Sequence, residues 1–333
     1  MLTHLERERT MSLQLLSLND VKQSITMLEA IRAMESAFIQ LARQEVKLPL
    51  RTGITIDAEQ ALTLTMPAYL EHEKALGLKV VSIFPNNRAK NKHAITGFIM
   101  LLDAHTGEPK ALMDAAFLTA LRTGAISGLA TQYFATETAR HAAIIGSGAQ
   151  AETQLEAISA VRDIKEVSVW SRDIKNAQKF AARYESQFDI NVCEQVSQAV
   201  RDADVICTVT SSSEPLIQLH DVQAHVHINA IGSHTPMMRE ISDELLGQAV
   251  VIADQIQAVL AESGEIISAL KHNQLKQNAI IELGDWLLHK KPDYKSNLSV
   301  FKSVGLSIQD LSVADVVYKN AMEKKRGVSF ALS

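Results

Sequence analysis

Residues 142–151 have the sequence Ala-Ala-Ile-Ile-Gly-Ser-Gly-Ala-Gln-Ala, and this stretch decides the fold. It fits the pattern G-x-G-x-x-A and lies directly between an apolar strand pattern and a helical pattern. Gly146 allows a tight turn, Gly148 lets the backbone approach a pyrophosphate, and the small Ala151 lets the helix pack close to the strand. Free N–H groups at the start of such a helix bind phosphates. The stretch therefore predicts a dinucleotide-binding turn. Its predicted cofactor-binding residues are Gly146, Ser147, Gly148, Ala149 and Gln150.

Strand and helix patterns alternate along the chain after about residue 118. This alternation predicts right-handed βαβ units in a parallel sheet with helices on both faces, which is a Rossmann-type α/β domain. The strand patterns cover residues 141–145, 166–170, 189–193, 204–209, 226–231 and 249–253.

The rest of the chain has a different pattern. Apolar residues recur at helical spacing over residues 18–41, and short strand patterns then continue to about residue 115, with a β-hairpin around residues 103–109. A strand at residues 300–304 precedes a helix over residues 308–324, which we expect to pack on the first domain. We predict an α+β domain formed by residues 12–120 and 305–330 and a Rossmann domain formed by residues 121–304.

The composition excludes several classes of protein. The chain has 333 residues, of which 47% are hydrophobic and 21% charged, as is typical of a globular protein with sizeable cores. Its formal charge of −5 offers no basic surface for nucleic acid or an anionic membrane. Cys193 and Cys207 are too few for a disulfide framework and too isolated for a zinc site, so we expect no metal. Met1 to Thr10 do not resemble a signal peptide, so we expect a cytoplasmic protein.

The choice of cofactor depends on the end of the second strand of the Rossmann domain. An acidic residue at that point would bind the ribose of NAD. This chain has Ser171 and Arg172 there, and a guanidinium suits the 2′-phosphate of NADP. Asp173 comes two residues late and is better placed to cap the next helix. We therefore predict that NADPH is preferred, with NADH as the alternative.

Four segments together resemble one known family. They are 77–81 (Gly-Leu-Lys-Val-Val), 118–125 (Leu-Thr-Ala-Leu-Arg-Thr-Gly-Ala), 228–232 (Ile-Asn-Ala-Ile-Gly) and 300–305 (Val-Phe-Lys-Ser-Val-Gly). With these segments the chain resembles the ornithine cyclodeaminase/mu-crystallin family from about residue 16 to residue 324. The resemblance implies that the first domain binds the substrate and forms a homodimer. It also implies hydride transfer between a nicotinamide and an α-carbon that carries nitrogen and a carboxylate.

The resemblance implies a set of substrate-binding cations. They map onto Arg51, Lys79 and Arg122, which would bind the substrate carboxylate, and Lys79 is also a candidate catalytic residue. Lys79 lies in an otherwise apolar strand, where an unpaired ammonium would be costly, so we expect it to have a functional partner, with a structural ion pair as the alternative. Arg43 and Arg88 are alternatives to Arg51, and His93 is either a further substrate-binding residue or an ordinary surface histidine.

Further cofactor-binding residues are expected along the edge of the sheet where the parallel strands end. Arg122 and Thr123, in a segment that we interpret as a helix start, are predicted to bind the cofactor, and Thr123 and Gly124 would contact its phosphates. The other predicted cofactor-binding residues are Thr208, Thr210, Asn229 and Ser303.

One departure from the family pattern bears on the reaction. Ornithine cyclodeaminases and archaeal alanine dehydrogenase have an Asp two residues after the glycine that corresponds to Gly232, whereas this chain has His234. A histidine can donate a proton but provides no fixed negative charge for a substrate amine. The segment from Ser233 to Glu240 is similar to bacterial Δ1-pyrroline-2-carboxylate reductases, which are ketimine reductases.

The sequence thus predicts an NAD(P)H-dependent oxidoreductase that reduces the C=N bond of a cyclic imino acid. Its substrate would be Δ1-pyrroline-2-carboxylate, giving L-proline, with Δ1-piperideine-2-carboxylate, giving L-pipecolate, as a second substrate. His234 is the candidate acid, and a loop residue without a catalytic role is the alternative. The alternatives for the whole chain are an ornithine cyclodeaminase, an alanine dehydrogenase, or a non-catalytic protein that binds NADPH and a small ligand.

Overall fold

The computed structural model describes residues 11–289 and 292–332. Within that part of the chain, no helix combines the length and the apolar character that a membrane crossing requires. The residues on which the cytoplasmic location depends, Met1 to Thr10, lie outside the described residues, so the location stays a prediction.

The secondary structure elements are numbered in chain order. The strands are β1 (Ser12–Leu16), β2 (Val46–Lys47), β3 (Thr52–Ile56), β4 (Ala61–Leu70), β5 (Ala75–Ile83), β6 (Ile95–Asp103), β7 (Pro109–Asp114), β8 (His141–Ile145), β9 (Glu166–Trp170), β10 (Asp189–Val192), β11 (Val205–Thr208), β12 (His227–Ala230), β13 (Val250–Ala253), β14 (Ile281–Glu282), β15 (Ser299–Lys302) and β16 (Val328–Ala331). The helices are α1 (Leu18–Lys22), α2 (Met27–Ala42), α3 (Ala115–Phe134), α4 (Ala151–Val161), α5 (Ile174–Tyr184), α6 (Val196–Val200), α7 (Asp243–Gln248), α8 (Ile256–Glu262), α9 (Gly264–Lys271), α10 (Leu283–His289) and α11 (Ser307–Glu323).

Unit 1 comprises the described part of Met1–Thr26, Gln44–Thr119 and Ser307–Ser333. Its sheet has the order β16-β1-β7-β6-β5-β4-β2, with β3 paired to β4. Apart from the parallel pair β1 and β7, the pairs are antiparallel, and β6 and β7 form the predicted hairpin. Helix α11 packs on β4, β5 and β6, so one face of the sheet is buried.

Unit 2 comprises Met27–Arg43 and Ala120–Leu306. Its sheet is entirely parallel and has the order β10-β9-β8-β11-β12-β15-β13-β14. From β8 the chain first moves outward through β9 and β10 and then returns to β11 on the other side of β8. The carboxyl ends of β8 and β11 therefore flank the topological switch point at which α/β sheets bind their ligands. The predicted fold class, a Rossmann-type domain with a second α+β domain, is confirmed.

The helical pattern over residues 18–41 forms two helices instead of one. Helix α1 ends at Lys22, and α2 begins only at Met27. The sequence-based division assigned both to the first domain, whereas in the structure α2 packs on α10 and α4 within unit 2. Gly284 of α10 permits this packing, because a Cβ atom there would lie 2.4 Å from the Phe38 carbonyl oxygen. An amphipathic pattern predicts that a helix has a buried face but does not say which partner covers it.

Candidate active site

The turn after β8 has the geometry of a phosphate-binding loop. Gly146 has φ +105°, and its N–H donates to the Trp170 carbonyl at 2.8 Å. A Cβ atom on Gly146 would lie 2.9 Å from the Val209 oxygen, so the turn needs glycine. A Cβ on Gly148 would meet nothing within 4 Å, which leaves open space beside the exposed backbone of Gly148 and Ala149. Helix α4 begins at Ala151, which is fully buried. The turn fits the pyrophosphate of a dinucleotide, and Gly146, Ser147, Gly148, Ala149 and Gln150 all lie in it.

Arg122 and Thr123 lie inside a helix, not at its start as we had predicted. Asp114 caps α3 by accepting the N–H groups of Ala116 at 3.0 Å and Phe117 at 3.2 Å, so the helix begins about two turns before Arg122. The Thr123 carbonyl accepts the Gln154 side chain at 3.1 Å, which ties α3 to α4. Backbone N–H groups at this depth in a helix bond within the helix. Only the side chains of Arg122 and Thr123 therefore stay candidates for ligand contacts.

The end of β9 presents the side chains that were predicted to select the cofactor. Arg172 is exposed and Ser171 half-buried, directly after the strand. Asp173 accepts the Lys175 N–H at 3.0 Å and caps α5, which confirms its predicted role. The carboxylate nearest to the tip of β9 is therefore engaged through Oδ1 in capping the helix.

Three predicted cofactor-binding side chains are buried and bonded to other protein groups. The Thr208 hydroxyl donates to Glu240 at 2.7 Å, and the Ser303 hydroxyl donates to Asp254 at 2.7 Å. The Asn229 amide donates to the Thr131 hydroxyl at 2.9 Å. These side chains were expected to contact the cofactor, whereas in the structure each is buried and bonded to another protein group. Their contact with a cofactor stays a prediction. Thr210 is half-buried, and its hydroxyl accepts the Ser212 N–H at 3.2 Å.

Glu240 connects the loops that follow β11 and β12, and sequence reasoning missed this role. Its fully buried carboxylate accepts four hydrogen bonds: from the Thr208 hydroxyl at 2.7 Å and from the N–H groups of Thr210 at 2.6 Å, Gly232 at 2.7 Å and Ser233 at 3.2 Å. Burial raises the pKa of Glu240, while Lys302 and the hydrogen bonds lower it.

Lys302 lies fully buried near Glu240. It donates to the Ser233 carbonyl and pairs with the buried Glu265 at 2.9 Å. In the sequence, Lys302, Glu240 and Glu265 stand out only as charged residues next to apolar runs. This pattern does not show which of them pair with each other.

His234 is the first exposed residue of the loop after β12. Its Nδ1 lies 2.9 Å from the Gly232 carbonyl oxygen. Since a carbonyl can only accept, Nδ1 carries the proton of this bond. Nε2 is then the atom of the ring that can exchange a proton with a ligand.

Lys79 in unit 1 has a buried counter-ion. It lies on β5 between Met66 and Ile99 of the neighbouring strands, and its Nζ is 2.6 Å from the carboxylate of Asp310 on α11. Both side chains are almost completely buried, at 3% and 0% exposure. We had expected a functional partner for Lys79 rather than a structural ion pair, and the structure shows an ion pair with Asp310, which the sequence analysis did not find. A contact between Lys79 and a ligand stays a prediction. The available signal was an acidic residue between the apolar positions Ile308 and Leu311 of the predicted helix.

The other two candidates in unit 1 lie outside regular strands. Arg51 is half-buried and immediately precedes β3. His93 is exposed, and its carbonyl accepts the Asn87 side chain at 3.0 Å. Their contacts with a ligand stay predictions.

The family can be assigned from the whole chain. The model of the ornithine cyclodeaminase/mu-crystallin family matches residues 11–325. The chain belongs to this family. The match covers residues of both units and includes the dinucleotide turn, Lys79 and Arg122. The similarity to the family is therefore not limited to the Rossmann motif.

Individual relatives extend the match. The Δ1-pyrroline-2-carboxylate reductase of Bacillus cereus is 36% identical over 318 residues, which are 94% of this chain and 98% of that protein. The structure of Thermococcus litoralis Δ1-pyrroline-2-carboxylate reductase in complex with NADH and L-proline superposes with a TM-score of 0.90 at 36% identity and covers 95% of this chain and 99% of that chain. An archaeal alanine dehydrogenase dimer with bound NAD superposes with a TM-score of 0.89 at 32% identity and covers 97% and 100%.

Proposed function

We propose that this protein is an NAD(P)H-dependent reductase of cyclic imino acids that converts Δ1-pyrroline-2-carboxylate to L-proline. The observation that carries the proposal is the loop after β12. Residues 231–239 contain no Asp or Glu, and the carboxylate that follows, Glu240, is fully buried and engaged by four donors. A cyclodeaminase needs a carboxylate that can reach the substrate amine. The loop instead presents an imidazole, which suits the protonation of an imine nitrogen. The two Δ1-pyrroline-2-carboxylate reductases support the same assignment.

The bound nicotinamide would supply the hydride that reduces the C=N carbon. The turn of residues 146–150 would hold the pyrophosphate through backbone N–H groups, as its open face at Gly148 permits. Fixing the cofactor there leaves the chain to orient the imino acid and to provide a proton.

Cations would orient the substrate through its carboxylate, and we assign this role to Lys79, Arg122 and Arg51, with His93 as a further candidate. Lys79 can stay protonated although it is buried, because Asp310 lies 2.6 Å from its ammonium group. A protonated Lys79 provides the positive charge that a substrate carboxylate requires. If Lys79 and Arg122 bind the same carboxylate, the effects of Lys79→Ala and Arg122→Ala on KM will be less than additive in the double variant.

His234 would donate the proton to the substrate nitrogen. Its Nδ1 bond to the Gly232 carbonyl fixes the ring and leaves Nε2 for the exchange. The imine must be protonated before or during hydride transfer, so an acid beside the nitrogen lowers the barrier. His234→Gln is expected to lower kcat and to flatten its dependence on pH, whereas the neighbouring exposed Thr235→Ala leaves both unchanged.

We propose that NADPH is preferred over NADH. Ser171 and Arg172 lie at the tip of β9, and Asp173 is taken up by the cap of α5. Arg172→Ala should reduce the ratio of kcat/KM for NADPH to that for NADH by roughly 10- to 150-fold, which corresponds to the loss of one charge-assisted contact of about 1.5–3 kcal/mol. Lys179→Ala, which removes an exposed cation on α5, is the control. An unchanged ratio in Arg172→Ala contradicts the proposed preference.

We also propose a homodimer, supported by the dimeric alanine dehydrogenase and by the sheet of unit 1. The face of the sheet opposite α11 is apolar but only half-buried. On this face, five apolar residues of neighbouring strands lie side by side in one row: Pro67, Leu78, Met100, Leu112 and Leu15. A contiguous apolar face of this kind marks an interaction surface, and a second copy would cover it.

The experiment that tests the function measures NADPH oxidation with Δ1-pyrroline-2-carboxylate beside ammonia release from L-ornithine. Rapid NADPH oxidation without ammonia supports the reductase. Ammonia and proline from ornithine, with little imine reduction, would mean a cyclodeaminase that acts without the Asp. Oxidation of L-alanine with NAD as the main activity would mean a dehydrogenase. Tight NADPH binding with no turnover of any imino acid would mean a binding protein.

A further inference from the structure

The turn that leads out of β15 is held by one buried carboxylate. Asp254 follows β13, the neighbour of β15 in the sheet, and is fully buried. Its Oδ2 accepts three hydrogen bonds: from the Ser303 hydroxyl at 2.7 Å, the Val304 N–H at 2.9 Å and the Gly305 N–H at 3.1 Å. Three donors that converge on one oxygen determine the path of the backbone through residues 303–305.

Gly305 lies directly against the guanidinium group of Arg122. It has φ +87°, and a Cβ atom there would be 2.7 Å from Nη1, 3.0 Å from Nη2 and 3.2 Å from Cζ of Arg122. All three atoms of the planar guanidinium group thus lie close to the position that a Cβ atom of residue 305 would occupy. A methyl group at this point would force the guanidinium to move.

Arg122 itself is only 8% exposed. Protein groups therefore enclose the guanidinium, and the backbone at Gly305, which donates to Asp254, is one of them.

We propose that Asp254 and Gly305 are positioning residues for Arg122. Asp254 sets the path of residues 303–305, and the missing side chain of Gly305 provides the flat surface on which the guanidinium rests. Neither residue needs to contact the substrate. The inference rests on the proposed role of Arg122 in binding the substrate carboxylate. It adds that Asp254, at the end of β13, contributes to the affinity for the imino acid through the position of Arg122.

Gly305→Ala tests the inference, with Gly107→Ala as the matched control. Gly107 also has a left-handed φ, +78°, but a Cβ atom there meets nothing within 4 Å. Both substitutions therefore introduce similar backbone strain, and only Gly305→Ala displaces Arg122. We expect Gly305→Ala to raise the KM for Δ1-pyrroline-2-carboxylate and the inhibition constant of L-proline by at least tenfold. Gly107→Ala should change both by less than twofold.

The same substitution in an Arg122→Ala background separates positioning from general damage. If Gly305 acts through Arg122, Gly305→Ala has no further effect on KM once the guanidinium is gone. An equal rise in KM in both backgrounds overturns the inference while the proposed function stands. If Arg122→Ala alone leaves KM unchanged, the proposed role of Arg122 is wrong and the inference falls with it.

Asp254→Asn is the second variant, in case Gly305→Ala does not fold. An amide has only one acceptor oxygen, so its NH2 group meets either the three donors of Oδ2 or the Gln255 N–H, which Oδ1 accepts at 2.8 Å. The turn should therefore shift without a new side chain beside Arg122. We expect a rise in KM that again disappears in the Arg122→Ala background. A rise that persists there contradicts the positioning role.

Discussion

Replacement of Glu240 by Gln should destabilise unit 2. The carboxylate accepts the Thr210 N–H on Oε1 and three other donors on Oε2, and it is fully buried. An amide has one acceptor oxygen. If that oxygen faces the three donors, the amide NH2 group faces the Thr210 N–H. Two donors then oppose each other, and the hydrogen bond from Thr210 is lost.

The size of the effect follows from these contacts. One buried donor left without an acceptor costs about 1–3 kcal/mol. The remaining bonds change from charge-assisted to neutral, which weakens them roughly twofold. We therefore expect Glu240→Gln to lower the free energy of unfolding of unit 2 by about 2–4 kcal/mol.

The tryptophans allow this unit to be followed by itself. The chain has two, Trp170 and Trp286, and both lie in unit 2. Urea unfolding monitored by selectively excited tryptophan fluorescence, at one protein concentration, gives the free energy by linear extrapolation. Glu244→Gln, an exposed carboxylate on α7, is the control and should stay within about 0.5 kcal/mol of the wild type. If Glu240→Gln costs no more than this control, the four bonds do not hold the loops as we infer.

Three further predictions concern pH, helix capping and assembly. Burial lowers the pKa of His227 to about 3, below its ordinary value of 6.5. The folded state therefore favours the neutral ring, and this contribution to stability is present above pH 6.5 and is lost as the pH falls. Between pH 7 and pH 5, His227 should account for a loss of about 2 kcal/mol, which His227→Gln removes and the exposed His220→Gln does not. Arg162 donates to five backbone carbonyls around the end of α3 and at the end of α4, so Arg162→Met should destabilise unit 2 by about 3 kcal/mol in the same urea assay. Arg140→Met, an exposed arginine, should have almost no effect, and equal losses would contradict the capping role. Leu78→Asp should yield monomers in sedimentation experiments if the apolar face of unit 1 is the dimer interface, and an unchanged dimer would place the interface elsewhere.

The sequence alone determined the features that depend on local patterns. The G-x-G-x-x-A stretch predicted the turn after β8, because a tight turn and a close helix need small residues at fixed spacing. Alternation of strand and helix patterns predicted the parallel sheet, since few connections between such elements are possible. Asp173 was recognised as a helix cap because capping involves only neighbouring residues.

Only the tertiary structure decided how distant residues pair. It placed Asp310 beside Lys79, Asp254 beside Ser303, and Glu240 across the ends of β11 and β12. A buried ion pair or hydrogen bond leaves no periodic signal in a sequence, because its partners come from elements that are far apart along the chain. The same reason applies to Thr208, Asn229 and Ser303, which were expected to bind the cofactor but are buried. The sequence predicts that a residue lies at the end of a strand, whereas the partner of its side chain depends on the fold.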